Sequence, residues 1–579
     1  MTGLQFRVSI IFFLFLFVNT LFAQNIIVLS DSSVLKIKGV EKNILKLKTS
    51  SVKNYNKHYI SLERKLVRAG FVAVQIDSTS NKQGGLLISV ETGKKISMLE
   101  IEIDSATKEL LNQYRIKPIK SNSTFNAKAF YIFREHCIKE LENNGYPFAT
   151  FKTSGNIDSK NKITTLLSLQ KNNLIKYDSI EVKGDANISK EFLIAYLNVP
   201  PKGIYKEKDI KQFEKKLNQL EFLNQIKSPD IVFTETKAKS LLYINARKNN
   251  QVDGLIGFLP DETTGKILFT GQAHIKLLNA LNYGELIDVN WRKLQAKTQD
   301  LKLQFNMHHL FKTPLGFESS IKIYNRDTLF QDVTPSLGLQ YYFSGLNHVK
   351  LFVNRRSSSL NSTRGYETIT TLPDYADVSS TLYGIGFKID EVDYATNPRK
   401  GIRFSSNIAA GSKEISQNPR INPEAYKGLD LKTSQYTFDL SADYFWNIYK
   451  QHVINIGTDF ASIQAKQVMT NELFRLGGLY TLRGFDDESI FASSYSVSTL
   501  EYRFLFEKNS YLYAFTDWCW YEENSKNKYI NDIPKSFGTG IRFETKAGLF
   551  NINYALGKQF NNPILLRAAK IHFGFSSYF

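Results

Sequence analysis

The chain closes on Ile571-His572-Phe573-Gly574-Phe575-Ser576-Ser577-Tyr578-Phe579, and this stretch decides the fold. Ile571, Phe573, Phe575 and Phe579 share one parity, while His572, Gly574, Ser576 and Tyr578 share the other. A strand built from them turns one face to hydrocarbon and the other to water. Back to about residue 250 the same alternation recurs in segments of about ten residues, separated by Gly, Asn, Asp and Pro, which is the pattern of a transmembrane β-barrel. Candidate strands begin near residues 252, 266, 284, 299, 315, 336, 347, 381, 401, 434, 452, 495, 510, 536, 548 and 569, about sixteen in all. A backbone in lipid must satisfy its own donors and acceptors, so these strands have to close on themselves. A soluble β-sandwich shares the alternation but explains neither export nor an aromatic final strand.

Composition agrees. Among 579 residues there are 30 Tyr and 42 Phe, yet the mean hydropathy is only -0.27, which suits many half-buried strands better than apolar helices. Arg7, the apolar run from Ile10 to Val18 and the small residue of Leu21-Phe22-Ala23 read as a secretory signal over residues 1–23. That run is short for a membrane-spanning anchor helix. The two cysteines, Cys137 and Cys519, support neither a disulfide framework nor a Cys-rich metal site. The net charge of +19 lies mostly in residues 25–248, which hold 38 Lys and Arg against 23 Asp and Glu. It is spread without dense basic runs, so it reads as a solvated surface facing periplasm or anionic headgroups, not as a nucleic-acid site.

The first half repeats one unit. Its clearest copy runs from a strand at Lys176 to Gly184, through helical spacing at Ser189 to Leu197 and Lys208 to Leu220, to strands at Phe222 to Ile226 and Ser240 to Ala246. The preceding copy has a strand Ile96 to Ile103, helices Ser105 to Tyr114 and Ala127 to Asn144, and strands Phe148 to Ser154 and Ile163 to Gln170. A less complete copy runs from about Val34 to Thr92, with a helix His58 to Ala69 and strands Phe71 to Ile76 and Gly85 to Val90. The expected division is therefore signal 1–23, modules 25–93, 94–172 and 173–248, and barrel 250–579.

Between candidate strands eleven and twelve stands Arg475-Leu476-Gly477-Gly478-Leu479-Tyr480-Thr481-Leu482-Arg483-Gly484-Phe485-Asp486. It resembles the sixth-outward-loop signature of the BamA and TamA family, whose core is Arg-Gly-Phe. Asn397-Pro398-Arg399-Lys400-Gly401 is similar to that family's turn before strand nine, and Glu501-Tyr502-Arg503 lies on strand twelve. Phe515-Thr516-Asp517 on strand thirteen resembles its Phe-x-Asp-x-Gly, with Cys519 in place of the Gly. The resemblance implies that the three modules are POTRA domains, with α+β repeats leading into a sixteen-stranded antiparallel barrel.

Arg483 on a loop folded into the lumen needs acidic partners in a partly dry space, and Glu501 and Asp517 are the candidates. Gly484 lets that loop approach the wall, and Phe485 packs beside it. Strand one carries Gly254 and Gly257, which weaken its pairing. The resemblance implies a lateral seam between this strand and Phe573 and Phe575 of strand sixteen, where a client strand adds by β-augmentation, and an insertion signal at Phe579. It further implies an outer-membrane barrel with a periplasmic arm. Its partners would be unfolded outer-membrane or secreted clients, periplasmic or lipoprotein factors, and outer-membrane lipid, with no nucleic acid.

An enzyme is not expected. The eight His residues form no nucleophile–base arrangement, His308-His309 precede a turn and His572 sits on the last strand. There is no phosphate loop, zinc spacing or dinucleotide fingerprint, so no cofactor or metal is expected. A passive porin has no need of three N-terminal modules. Within the family the choice lies between a general insertase, an accessory TamA-like factor and a dedicated two-partner-type secretion pore.

Overall fold

A computed structural model describes residues 98–579 except 125, 158–161, 261–266, 296–297, 546, 561 and 579. Before residue 98 it describes 24–30, 47–49, 71, 75–82, 85–91 and 96. The signal at 1–23, the helix expected at His58 to Ala69 and the terminal Phe579 lie outside the described residues. The chain forms two compact units, Met1–Leu174 and Ile175–Phe579.

One strand plan recurs three times in the first half. The opening strand (Gln24–Ser30, Met98–Ile103, Lys176–Lys183) runs parallel to the closing strand (Gly85–Glu91, Lys162–Gln170, Lys237–Ala246). The closing strand also pairs antiparallel with the strand before it (Gln75–Lys82, Thr150–Ile157, Asp230–Phe233). In the earliest copy the opening strand lies before the expected start near Val34, and the penultimate strand starts at Gln75, four positions later than the expected Phe71 to Ile76. Ile26 to Leu29 form a continuous apolar run, so alternation does not reveal this strand, which lies between two others in its sheet.

Helices pack on the sheets of the middle and last modules. In the middle module α1 (Ser105–Gln113) is capped by Asp104, which accepts the Thr107 N–H at 2.6 Å, and α2 (Ala127–Glu142) by Asn126. In the last module Ser189 caps α3 (Lys190–Leu197), which ends at Asn198 with φ 62°. The single helix expected at Lys208 to Leu220 is two pieces, α4 (Glu207–Ile210) and α5 (Phe213–Gln219). The break lets Phe213 and Leu217 reach a core with Phe192, Leu193, Tyr196 and Leu242.

The barrel comprises β1 (Gln251–Pro260), β2 (Ile267–Leu278), β3 (Leu286–Gln295), β4 (Thr298–Met307), β5 (Leu315–Arg326), β6 (Phe330–Ser344), β7 (Asn347–Leu360) and β8 (Val378–Val392). It continues with β9 (Gly401–Ile415), β10 (Lys432–Tyr449), β11 (His452–Ala465), β12 (Ser494–Leu505), β13 (Tyr511–Ser525), β14 (Lys528–Asp532 and Lys535–Thr545), β15 (Gly548–Lys558) and β16 (Lys570–Tyr578). All neighbours are antiparallel and the sheet closes. β14 is in two pieces because Pro534 lacks an N–H, while its carbonyl accepts the Cys519 N–H at 2.9 Å. β6 begins six positions before the expected 336, since the ladder to β7 skips Thr334 and Pro335 and then resumes. On β6, Leu337, Leu339, Tyr341 and Phe343 are exposed outward, while Gln340 and Tyr342 are buried inward. The remaining outward rings, among them Tyr444, Trp446, Trp518 and Tyr529, supply the aromatic girdle of a lipid-facing wall.

The last module is bound to the arm-side turns of the barrel. Ser189 donates its N–H to Asn282 O at 2.6 Å, and Gln219 donates to Asp390 O at 2.9 Å. Phe192 and Tyr196 pack edge-on against the His309 ring, which also lies 4.8 Å from that of Tyr342. Burial pushes the imidazole of His309 down to about 4 and that of His308 to about 3. An exposed imidazole titrates near ~6.5, so the unfolded or undocked state binds protons first. The junction is thus most stable above that pH and loses stability as pH falls toward 4. Amide exchange across residues 190–197, measured in the full chain, is expected to accelerate over that window. His309→Phe should shrink the acid response; an identical response would exclude His309 as its source.

Candidate functional site

The register of β12 against β13 sets the site. Thr499 faces Asp517, Glu501 faces Phe515 and Arg503 faces Tyr513, all on the lumen parity. Along β13 the positions Tyr511, Tyr513, Phe515, Asp517, Cys519 and Tyr521 are buried and their neighbours are not, so one wall of the lumen is dense with aromatic and acidic groups. Room for the rings comes from β14. A methyl group on Gly538 would sit 2.8 Å from the Phe515 ring, and one on Gly540 2.5 Å from that of Tyr513.

Onto this wall comes the loop of residues 466–493, between β11 and β12. Arg483 donates to Asp517 through Nε at 2.9 Å and Nη2 at 2.6 Å, and to Glu501 through Nη1 at 2.7 Å. Its guanidinium carbon lies over the Phe515 ring, 3.4 Å from the centroid. The side chains of Arg483, Glu501 and Asp517 are 12%, 7% and 2% exposed. Arg503 donates to the second oxygen of Glu501 at 2.8 Å, and Thr499 donates to Asp517 at 2.9 Å. Two cations thus answer two carboxylates, and the desolvated charges balance. The structure brings together Arg483, Glu501 and Asp517 as their residue types require. It adds Arg503, Thr499 and the Phe515 ring, all at alternate positions on their strands.

Gly484 has φ 85°, and a methyl group there would meet the backbone of Leu556 and Gly557 at 3.0 Å, so the loop can touch β15 only with glycine here. Its N–H donates to His572 Nε2 at 3.2 Å. Phe485 joins Leu476, Leu482, Ile490 and Cys519 in one buried apolar cluster. Cys519 therefore fills with sulfur the position where the resembling motif has glycine.

Two further anchors of the loop had no local signal. At its start, Glu472 pairs with Lys413 of β9 at 2.5 Å, both 1% exposed, and accepts the Met469 N–H at 2.8 Å and Gln435 of β10 at 3.3 Å. Arg356 of β7 binds Asp332 at 2.6 Å and donates to the Asn471 and Glu472 carbonyls. On its return, Glu488 accepts from Tyr324 of β5 at 3.1 Å and Arg292 of β3 at 3.4 Å, while Arg475 stacks 3.5 Å from the Tyr324 centroid. Lys570 on β16 pairs with Asp486 at 2.7 Å. One loop thereby crosses the lumen and holds β3, β5, β7, β9, β10, β12, β13 and β16.

The seam differs from every other strand junction in the wall. Among the described residues β1 and β16 pair at Gln251↔Tyr578 and Val252↔Ser577 alone. Gly254 and Gly257 pair instead with Ala273 and Thr270 of β2, and Phe573 and Phe575 with Ile552 and Phe550 of β15. Those four residues flank the seam, and the main-chain closure falls on their neighbours. Phe573 is 62% exposed on the outer face.

A closed antiparallel barrel with an internal loop bolted across its lumen, following α+β modules in the chain, defines a plugged membrane β-barrel with an N-terminal modular arm. Residues 279–579 match the Omp85 superfamily domain, more than half of the chain, and the chain belongs to the Omp85 superfamily. No curated protein matches it. CdiB from Acinetobacter baumannii is similar over 84% of this chain and 90% of that one, with 14% identity and a TM-score of 0.51. BamA from Haemophilus ducreyi lacking POTRA domains 1-3 covers 84% of this chain and 100% of its own, with 16% identity and a TM-score of 0.42. At 14% identity the likeness to CdiB concerns the fold alone.

Removing the guanidinium leaves buried Asp517 with only the Thr499 hydroxyl and Glu501 with Arg503 alone, a change of ~3–5 kcal/mol for a broken buried pair. Arg483→Ala is therefore expected to free the loop for protease cleavage and lower the temperature at which the barrel loses its compact gel mobility. Arg483→Lys, which keeps the charge without the planar fork, should recover less than half of the loss. Wild-type protease resistance in Arg483→Ala would show that the loop is held elsewhere.

Proposed function

We propose that this chain assembles or translocates client polypeptides at the β1–β16 seam, without a covalent catalytic step and without a cofactor, its N-terminal modules facing the periplasm and receiving the clients. The observation that carries the reading is the two-pair closure of the seam beside a lumen crossed by loop 466–493. Passive diffusion wants an open lumen, whereas a strand edge with few main-chain bonds to lose is a place where another strand can add. Lipid-exposed main-chain groups left by an opened seam would be costly, so opening is productive only when a client strand takes the place of β16.

Val252 and Ser577 are direct Cα partners across the seam, and the two native cysteines are buried, so Val252→Cys with Ser577→Cys offers a selective lock. The oxidised pair is expected to abolish outer-membrane assembly in cells depleted of the native chain, and reduction should restore it. Outer-membrane proteomics on depletion separates the two forms of the reading: broad loss of barrel proteins marks a general insertase, and loss of one exported protein a dedicated pore. Full activity with the seam locked would overturn both.

A further inference from the structure

One polar assembly at the seam has no part in holding the loop. Asp253 on β1 is buried, and its Oδ1 accepts the backbone N–H of Ser577 on β16 at 2.9 Å. Its Oδ2 lies 3.1 Å from Nδ1 of His274, the residue directly opposite on β2, and His274 Nε2 lies 3.2 Å from Asp288 Oδ2 on β3. Three strands thus contribute to a carboxylate–imidazole–carboxylate chain whose free end grips the main chain of a fourth. Asp253 and His274 border a lumen cavity of ≈ 790 Å³, lined also by Arg292, Lys302 and Lys322 and by Tyr480 and Asp487 of the loop.

The geometry matters because of what it substitutes for. Among the described residues the β1 edge past Val252 makes no ladder pair with β16, and the Ser577 N–H is taken by a side chain. A bond from an N–H to a carboxylate is shorter and stronger than one to a neutral carbonyl. It also ignores side-chain identity, since every extended strand offers such an N–H except at proline. Asp253 can hold this position only if its second oxygen is fixed, and His274, itself fixed by Asp288, does that.

We infer that Asp253 is the register clasp of the seam: it closes β1 on β16 through the Ser577 N–H and, when β16 withdraws, takes the backbone N–H of an incoming extended polypeptide strand, with His274 as the residue that positions it. This rests on the proposal that clients add at β1. It selects for an extended segment with a free N–H at one register position, and therefore against proline there, with no demand on the side chain.

The test uses the full chain in lipid nanodiscs, with spin labels at the outward positions 252 and 573 and barrel folding checked by gel mobility. Loss of one charge-assisted bond is worth roughly tenfold in an equilibrium. Asp253→Ala is therefore expected to raise the population with a long label separation about tenfold, His274→Gln to raise it less, and Asp253→Glu to leave it near wild type. An unchanged distance distribution in Asp253→Ala would overturn the clasp. The second arm adds a synthetic peptide copying Lys570–Tyr578, carrying a photo-crosslinker. Wild type should capture it on β1, Asp253→Ala should capture several-fold less despite its open seam, and a peptide with proline in place of Ser577 should be captured as poorly by both. Equal capture of the two peptides by wild type would overturn the client half of the inference. If no peptide is captured although the distances shift as expected, strand addition at β1 falls while the contact that closes the seam stands.

Discussion

Everything in this molecule answers to the requirement that a backbone in hydrocarbon pair all of its own polar groups. Fifteen of the junctions between successive wall strands meet it with long antiparallel ladders, and the last, β16 to β1, meets it with two residue pairs. The deficit is local, and the structure places its other devices around it. Lys570, His572 and Gly574, alternate lumen positions of β16, each meet loop 466–493, and Asp253 takes the N–H of Ser577. The final strand is therefore held from within the lumen more than by its neighbour across the seam.

The holding loop explains why so much charge is spent inside the barrel. Buried ion pairs contribute little net stability over apolar packing, but breaking one is severe, so they select one arrangement over all others. Glu472 with Lys413, Arg483 with Asp517 and Glu501, and Glu488 with Arg292 lie on different sides of the lumen. A loop fixed at three such points cannot drift; it is either seated or released. An apolar plug of equal volume would slide among many positions of similar energy.

Period-two alternation made the barrel legible, because each strand has a lipid face and a wet face; strand starts were readable to within a few residues except where proline interrupts, as at Pro335 and Pro534. Arg483, Glu501 and Asp517 were legible for a different reason: Arg483-Gly484-Phe485 resembles a family loop motif, and the two acids stand on the lumen parity of adjacent strands. Lys413, Glu472, Arg356 and Glu488 were not. Their pairing depends on which way a long loop falls across the lumen, and no spacing in the chain encodes a contact between positions 59 apart, as for Lys413 and Glu472. The break between α4 and α5 was hidden likewise, since both pieces keep helical spacing.

The seam register was the least legible feature. Gly254 and Gly257 drew attention as weak points, but weakness of a strand pair is a property of two edges, and the β16 edge carries no mark that its pairing stops at Ser577. Asp253 was unremarkable as one acid among many on a lumen face. Its meaning comes from β2 placing His274 opposite it and from β16 ending alongside it, which follow from closing the ring with this stagger. In a barrel the stagger is fixed collectively by all the ladders. The residue that closes the ring is thus chosen by the other fifteen junctions, and shifting the ladder register of any one of them by two residues would carry the Ser577 N–H out of reach of Asp253 while leaving every inward and outward face unchanged.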